Sequence, residues 1–298
     1  MTVPIQLSNQ TVRMFIHPEA GAVIRGCEFW DGKTWQPFLA PARGEVSSDP
    51  TTSSSFMMLP WCNRLSKGNV AARSGDLSVP QTWHATPMPV HGTGWLRPWQ
   101  VVAHSPKSLE LKIDDDFGPY SYAGKLRISL YELGFRISAE VTNNGTTALP
   151  FGVGFHPYFV RNRGTMLKIA ADSIALTGTN GLPKRHFQWP KPTEFSVHVG
   201  RGLRGVSAFF HGAQKAVIFG QNCDTKTQLS VDKAAGFLVW APHGKEYFCV
   251  EPMSHQIDAF SGLSSALPHE IGINQSMGMA MDVQRSEGFL GSSRCHCA

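Results

Sequence analysis

Between residues 109 and 141, apolar and polar side chains alternate with a period of two in three successive runs, and this alternation restricts the chain more than any other feature. The runs are Leu109, Leu111 and Ile113; Leu126, Ile128 and Leu130; and Phe135, Ile137, Ala139 and Val141. Successive side chains of a strand point to opposite faces, so period two means half-buried strands where a period near 3.6 would mean a helix. Gly134 separates the second run from the third, and Asn143-Asn144-Gly145 closes the third with residues that tolerate the positive φ of a tight hairpin turn. The segment reads as an antiparallel meander. Further apolar runs at 216–219, 237–240 and 247–250 are each bounded by nearby Gly, Pro, Asn or Asp. No stretch of ten or more residues carries the pattern of an amphipathic helix.

Composition points the same way. Twenty-nine Gly and twenty Pro, scattered without period, suit many short strands joined by tight turns. Hydrophobic residues make up 42% and charged residues 16% of the 298, enough apolar surface for a packed core and too little charge for a disordered chain. All-β domains often run to this length, no internal repeat is present, and no composition break marks a linker. The expectation is one all-β domain over residues 1–285. Residues 178–192, punctuated by Gly and Pro, read as one long surface loop, and residues 286–298, rich in Ser and Gly, as a mobile tail.

The net charge of +5 is modest and spread along the chain, with no basic run of the kind that grips a phosphate backbone, so nucleic acid is not expected as a partner. No stretch reaches about eighteen consecutive apolar residues, and the first ten residues have neither a basic start nor an apolar signal core. These features predict a cytoplasmic protein with no membrane partner; they set no oligomeric state. The six cysteines, at 27, 62, 223, 249, 295 and 297, lack a repeated CxxC spacing. The first four read as reduced core residues. Cys295 and Cys297 flank His296, a set too sparse to make a metal site the expectation.

Three polar clusters interrupt the strands, each joining an ionisable group to aromatics and to Gly or Pro. The first is Pro60-Trp61-Cys62-Asn63-Arg64-Leu65-Ser66, followed by His91-Gly92-Thr93-Gly94-Trp95. Arg and Asn offer fixed donors to hydroxyls, and Trp offers a flat apolar face to the C–H surface of a sugar. The second is Gly152-Val153-Gly154-Phe155-His156-Pro157-Tyr158-Phe159. The third runs from Tyr247 through Glu251-Pro252 to His255, where a carboxylate ends an apolar strand and desolvation raises its pKa toward that of a useful base. Singly, each residue has an ordinary structural explanation. Together they supply a proton donor and a base among sugar-compatible aromatics, without a nucleophilic Ser or Cys motif.

The ordered series Asn63-Arg64, His91-Gly92-x-Gly94-Trp95, Gly154-x-His156-Pro157-Tyr158-Phe159 and Val250-Glu251-Pro252, with Ala259-Phe260 after it, resembles the aldose 1-epimerase (galactose mutarotase-like) family from about Phe15 to about Val283. The stretch Pro18-Glu19-Ala20-Gly21-Ala22 and a strand from Trp95 to Val102 fit the same pattern. That resemblance implies a large antiparallel β-sandwich, the supersandwich of galactose mutarotases, with a sugar lying across a cleft. It implies Glu251 as general base and His156 as general acid, with Arg64 and His91 holding the sugar beside Asn63, Trp95 and Tyr158. The implied reaction interconverts the α and β anomers of a free hexose such as glucose or galactose, with no cofactor and no metal, the sugar being the small-molecule partner. Activity against pH would then be bell-shaped, with Glu251 ionising on the acid limb and His156 losing its proton on the alkaline limb.

One departure stands out. The family usually carries an Asp for sugar hydroxyls at a position that falls at about Val206, and no acid lies nearby. Two other readings stay open at this point. A hexose-6-phosphate 1-epimerase would use Arg64, Lys67 and Arg97 to hold the phosphate; a non-catalytic sugar-binding or sensing protein would have kept the cleft without turnover.

Overall fold

The computed structural model describes residues 3–45, 49–200, 205–220, 225–262 and 269–287. The three alternating runs form the strands Ser108–Phe117, Tyr120–Tyr131 and Gly134–Asn143, paired antiparallel in chain order. Their registers align the apolar residues across strands: Leu111, Leu126 and Ala139 stand in one row, Leu109, Ile128 and Ile137 in the next. The strand Ser276–Glu287 extends these rows with Met279 opposite Ala139 and Met281 opposite Ile137. Every one of these side chains is buried in the main core. Among the described residues the only helical elements are three one-turn 3-10 helices.

Eighteen strands belong to one antiparallel sheet that folds over on itself into two layers. The turning element is the strand Met166–Thr177. Its first half, Met166–Ile169, pairs with the strand Lys215–Phe219. After a register shift between Ala171 and Ser173, its second half, Ser173–Leu176, pairs with the strand Val206–His211. The shift sets residues 189–192 of the strand Pro183–His198 opposite Asp172 alone, and such a bulge bends the paired strands and lets them pass between layers. One layer then runs through Ser55–Met58, Gly154–Val160, Tyr247–Met253, Gly236–Ala241 and Val206–His211. The other contains the meander and the strand Ser276–Glu287. Side chains from both fill the space between, as where Phe38 meets Phe135 edge-on at 5.4 Å.

Three sequence expectations change. Residues 178–192 are not one loop: residues 178–182 form a tight hairpin tip, closed by Gly178 N–H donating to Leu182 O, and the strand Pro183–His198 follows. Its exposed residues and three prolines resemble a loop in composition, because it is an edge strand whose outer face needs no apolar side chains. Ser286 and Glu287, assigned to the tail, belong to the strand Ser276–Glu287 and pair with Lys226 and Thr225. Asn143-Asn144-Gly145 ends its strand without making a hairpin. Asn143 instead accepts from Gly145 N–H and donates to the carbonyls of Thr147 and Ile271, a local side-chain turn that sends the chain away. Cys223 and the 295–297 cluster lie outside the described residues. Cys27, Cys62 and Cys249 are reduced and buried.

Pro18–Ala20 forms a 3-10 turn capped by Gly21 in the left-handed region (φ 84°). A Cβ on Gly21 would stand 1.9 Å from the carbonyl oxygen of Trp95. Gly21→Ala therefore combines backbone strain with displacement of the Trp95 loop, and should cost at least about 1–3 kcal/mol. A denaturant midpoint equal to that of the parent would contradict this.

Candidate active site

In the layer that starts at Ser55–Met58, alternate residues face opposite ways. Phe155, Phe159, Phe248, Val250, Phe237 and Val239 enter the main core. Tyr158, Cys249, Leu238 and Phe56 pack in a second cluster on the other face. His156 and Glu251 share that second face by parity. The register that pairs Gly154 with Met253 and Tyr158 with Cys249 sets His156 across from Glu251, and Nε2 of His156 lies 3.2 Å from Oε1 of Glu251. They are 95 positions apart in sequence, 5% and 1% exposed.

Burial opposes charge on both groups. It pushes the Glu251 carboxyl up to about 8, against the pull of the Arg64 guanidinium, and His156 down to about 3, helped by Arg43 and Arg64. Between those limits the pair holds one proton. The order of the two groups is thus the reverse of the sequence expectation, because burial penalises charge on the carboxylate and on the imidazolium alike. Moving the proton from Oε1 to Nε2 gives the carboxylate and imidazolium that acid–base chemistry uses.

The surrounding groups come from two strained loops. Asn63 (φ 56°) and His91 (φ 59°) both occupy the left-handed region that non-glycine residues avoid. His91 N–H donates to Asn63 O, and Asn63 N–H donates to Nδ1 of His91 at 3.2 Å. With Nδ1 accepting, the proton of neutral His91 sits on Nε2, and burial holds the ring neutral. Asn63 Oδ1 accepts from Arg64 N–H, which directs its polar end inward along its own loop. The whole segment is tied to the far end of the Glu251 strand. Cys62 N–H donates to Nε2 of His255, whose Nδ1 meets Gln256 O, and Ser66 N–H donates to Asp258.

All seven residues singled out in the sequence, Asn63, Arg64, His91, Trp95, His156, Tyr158 and Glu251, line one cleft of about 580 Å³. Their exposure differs. Trp95 is fully buried, with its Nε1–H donated to Gly92 O and its ring stacked on Phe56 at 4.8 Å; Phe56 in turn stacks on His156 at 4.4 Å. Trp95 thus backs the imidazole, and the half-buried Trp83 and Trp240 offer the cleft its indole surface. Trp61 lies in the main core against Tyr120, outside the cleft. Sequence reasoning missed Phe56, Trp240, Arg43, Thr177 and Ser207, and named Tyr247 only as the start of the third cluster. Four of these lie on short strands whose face could be assigned only once the neighbouring register was known; the Arg43 guanidinium sits over the Tyr247 ring at 4.3 Å and donates to Thr51 O. Lys67 and Arg97 do not line the cleft; Arg97 pairs with Asp115 at 3.3 Å.

Several buried polar atoms around the pair have no partner in the protein: Nδ1 of His156, Oε2 of Glu251 and Nε of Arg64. Burying such atoms unsatisfied is costly, so they mark where a polyhydroxylated ligand would bond. The His156 ring, the Cys249 thiol and the Glu251 carboxylate also offer donor atoms within 4.8 Å of one another, the one such trio among the described residues. Burial keeps the Cys249 thiol protonated, however, which disfavours it as a metal ligand.

Strand parity also relocates the departure from the family pattern. Val206 packs against the main core, and its neighbour Ser207 lines the cleft. Of the two positions, only 207 would present an acid to the cleft. Val206→Asp should lower stability by about 1–3 kcal/mol, since it sets a carboxylate against apolar side chains. Ser207→Asp should leave the denaturant midpoint near that of the parent and tighten hexose binding in calorimetry. Equal midpoints for the two variants would contradict the parity assignment.

Comparison with known proteins fits this geometry. A curated relative, the uncharacterized protein YphB of Escherichia coli K12, is 29% identical over 264 residues, covering 85% of this chain and 88% of its own. A crystal structure of a candidate aldose 1-epimerase from Escherichia coli K12 superposes with a TM-score of 0.83 at 24% identity, covering 96% of this chain and 99% of that one. Galactose 1-epimerase from Lactobacillus acidophilus NCFM gives 0.73 at 14%, covering 96% and 94%. The family model for aldose 1-epimerase matches residues 4–274, and the chain belongs to that family.

Proposed function

We propose that the protein is an aldose 1-epimerase acting on a free hexose, with Glu251 and His156 as its proton-transfer pair. The observation that carries this reading is the buried His156–Glu251 contact of 3.2 Å on the floor of a cleft in which Nδ1 of His156, Oε2 of Glu251 and Nε of Arg64 lack partners in the protein. Glu251 takes the proton from the C1 hydroxyl, the C1–O1 bond becomes a carbonyl, and the bond from C1 to the ring oxygen breaks. The ring oxygen takes its proton from His156. Rotation about C1–C2 and reclosure through the reverse transfers give the other anomer and return both groups to their starting state. Nε2–H of His91 and the guanidinium of Arg64 hold the hydroxyls, and the family resemblance assigns them that role. No electrons or groups are consumed, so the steps call for no cofactor.

The cation set proposed for a phosphorylated hexose does not assemble, since Arg97 is paired with Asp115 and Lys67 lies outside the cleft. That favours the unphosphorylated sugar. A matched acid and base in contact favours turnover over mere binding, because a binder has no use for a shared proton.

Polarimetry on freshly dissolved α-glucose and α-galactose, beside glucose 6-phosphate, tests the reading. Glu251→Gln should fold and lose about 10²–10⁴-fold in kcat; a folded variant keeping more than about a tenth of the parent rate would remove Glu251 from the role of base. For the pH profile the sign follows from proton count. Below about 3 the pair carries two protons and has no base, and above about 8 it has lost its last proton and has no acid. kcat/KM should therefore hold between those limits and fall as pH rises through about 8, a limb that Glu251→Gln removes. Turnover should also survive prolonged dialysis against EDTA; loss of activity restored by zinc would mean that the His156–Cys249–Glu251 trio holds a required metal.

A further inference from the structure

The Arg64 guanidinium bears on three titratable groups of the cleft: it draws the Glu251 carboxyl down and opposes charge on His156 and His91. Its backbone is well fixed, with Arg64 N–H donated to Oδ1 of Asn63 and an isolated bridge to Val90. The end of the side chain is not. Among the described residues the guanidinium makes no hydrogen bond and no ion pair, and its Nε is buried without a partner. A long side chain untied at its end keeps its rotamer freedom and aims its donors poorly unless packing confines it.

The confining element is the hairpin tip at residues 178–182. A Cβ on Gly181 would stand 2.6 Å from Nη1, 2.8 Å from Cζ and 3.2 Å from Nε of Arg64, so the guanidinium packs where a side chain at 181 would be. Gly181 also adopts φ 78°, a conformation that L side chains rarely enter. The tip holds its shape through its own bonds: Gly178 N–H donates to Leu182 O, Gly181 N–H to Gly178 O, and Leu182 N–H to Oδ1 of Asn180. It stands between two open spaces, since Gly178 and Thr179 line both the acid–base cleft and a second cavity of about 830 Å³, lined also by Ala175 and Phe209.

Resting on the mutarotase reading, in which Arg64 holds sugar hydroxyls, we propose that Gly181 is a positioning residue whose bare backbone fixes the Arg64 guanidinium for the sugar. The contact is with the free end of a side chain, so a Cβ at 181 displaces Arg64 and leaves the sheet as it is. A donor confined before the sugar arrives has less freedom to lose on binding.

The test measures KM and kcat on α-glucose and α-galactose by polarimetry, and binding of the same sugars by calorimetry. Gly181→Ala should fold, raise KM about ten- to hundredfold, as expected for loss of a hydrogen bond to a charged group, and leave kcat near that of the parent. Gly32→Ala is the control. Gly32 lies at φ 97° with nothing within 4 Å of its Cβ, so this variant carries backbone strain without the contact and should keep the parent KM. In an Arg64→Ala background, Gly181→Ala should change KM no further. Gly181→Asn brings the same Cβ but enters the left-handed region at less cost, so it should give the same result even where strain unfolds the alanine variant. A parental KM in either folded variant, a rise that persists in the Arg64→Ala background, or failure of both variants to fold overturns the proposal. Failure of the mutarotase reading looks different: no sugar is turned over, and calorimetry then decides. Hexose binding weakened by Gly181→Ala only while Arg64 is present supports the positioning role; binding unchanged by Gly181→Ala, or absent in the parent, overturns it.

Discussion

The contact between His156 and Glu251 exists because two antiparallel strands hold one register. The pairing of Gly154 with Met253 and of Tyr158 with Cys249 fixes which residues stand opposite one another. A slip of one residue in either strand would turn its polar residue into the main core and bring Phe155 or Val250 to the cleft. That slip is prevented by burial on both faces. Phe155, Phe159, Phe248 and Val250 fill the space between the layers while Tyr158, Cys249 and Met253 pack on the other side. The geometry of the pair is thus set by apolar packing.

Around this pair the protein keeps its polar groups neutral and aimed. Burial pushes Glu251 up and His156 and His91 down, and Arg64 partly offsets it at Glu251. A neutral His91 with its Nδ1 occupied by Asn63 N–H is a fixed donor, with no need to reorganise when a sugar arrives. The cost appears in the backbone. Asn63 and His91 sit at positive φ, and Gly92 (φ 67°) has no room for a Cβ, which would stand 2.1 Å from Leu59 O. His255 and Asp258, beyond the Glu251 strand, hold that strained segment in place through backbone N–H groups of Cys62 and Ser66.

The layer that carries the site extends well past it. One cross-strand row links Glu251 to His186, so the same sheet that carries the His156–Glu251 pair also forms the floor of the neighbouring cavity. The hairpin tip at residues 178–182 borders both spaces, and Gly181 packs so close to the Arg64 guanidinium that a Cβ there would stand 2.6 Å from it. A segment that reads as featureless loop in sequence therefore shapes both.

Alternation by itself determined the class of fold and the meander, because period two is a local property of side chains that must bury one face. The ordered motifs around Arg64, His91, His156 and Glu251 likewise made the family and the candidate residues legible, since each is a short contiguous string. What the sequence could not contain is which strands become neighbours. Val206 and Ser207 are indistinguishable by counting, and only pairing with the strand Gly236–Ala241 sends one to the core and the other to the cleft. The strand Pro183–His198 alternates only from Thr193 onward, because nearly all of residues 183–192 are exposed on both faces, and Trp95 looks like a sugar platform until its ring is found behind Phe56. The order of the two proton affinities also belongs to tertiary structure, for it follows from how much water the fold removes from each group.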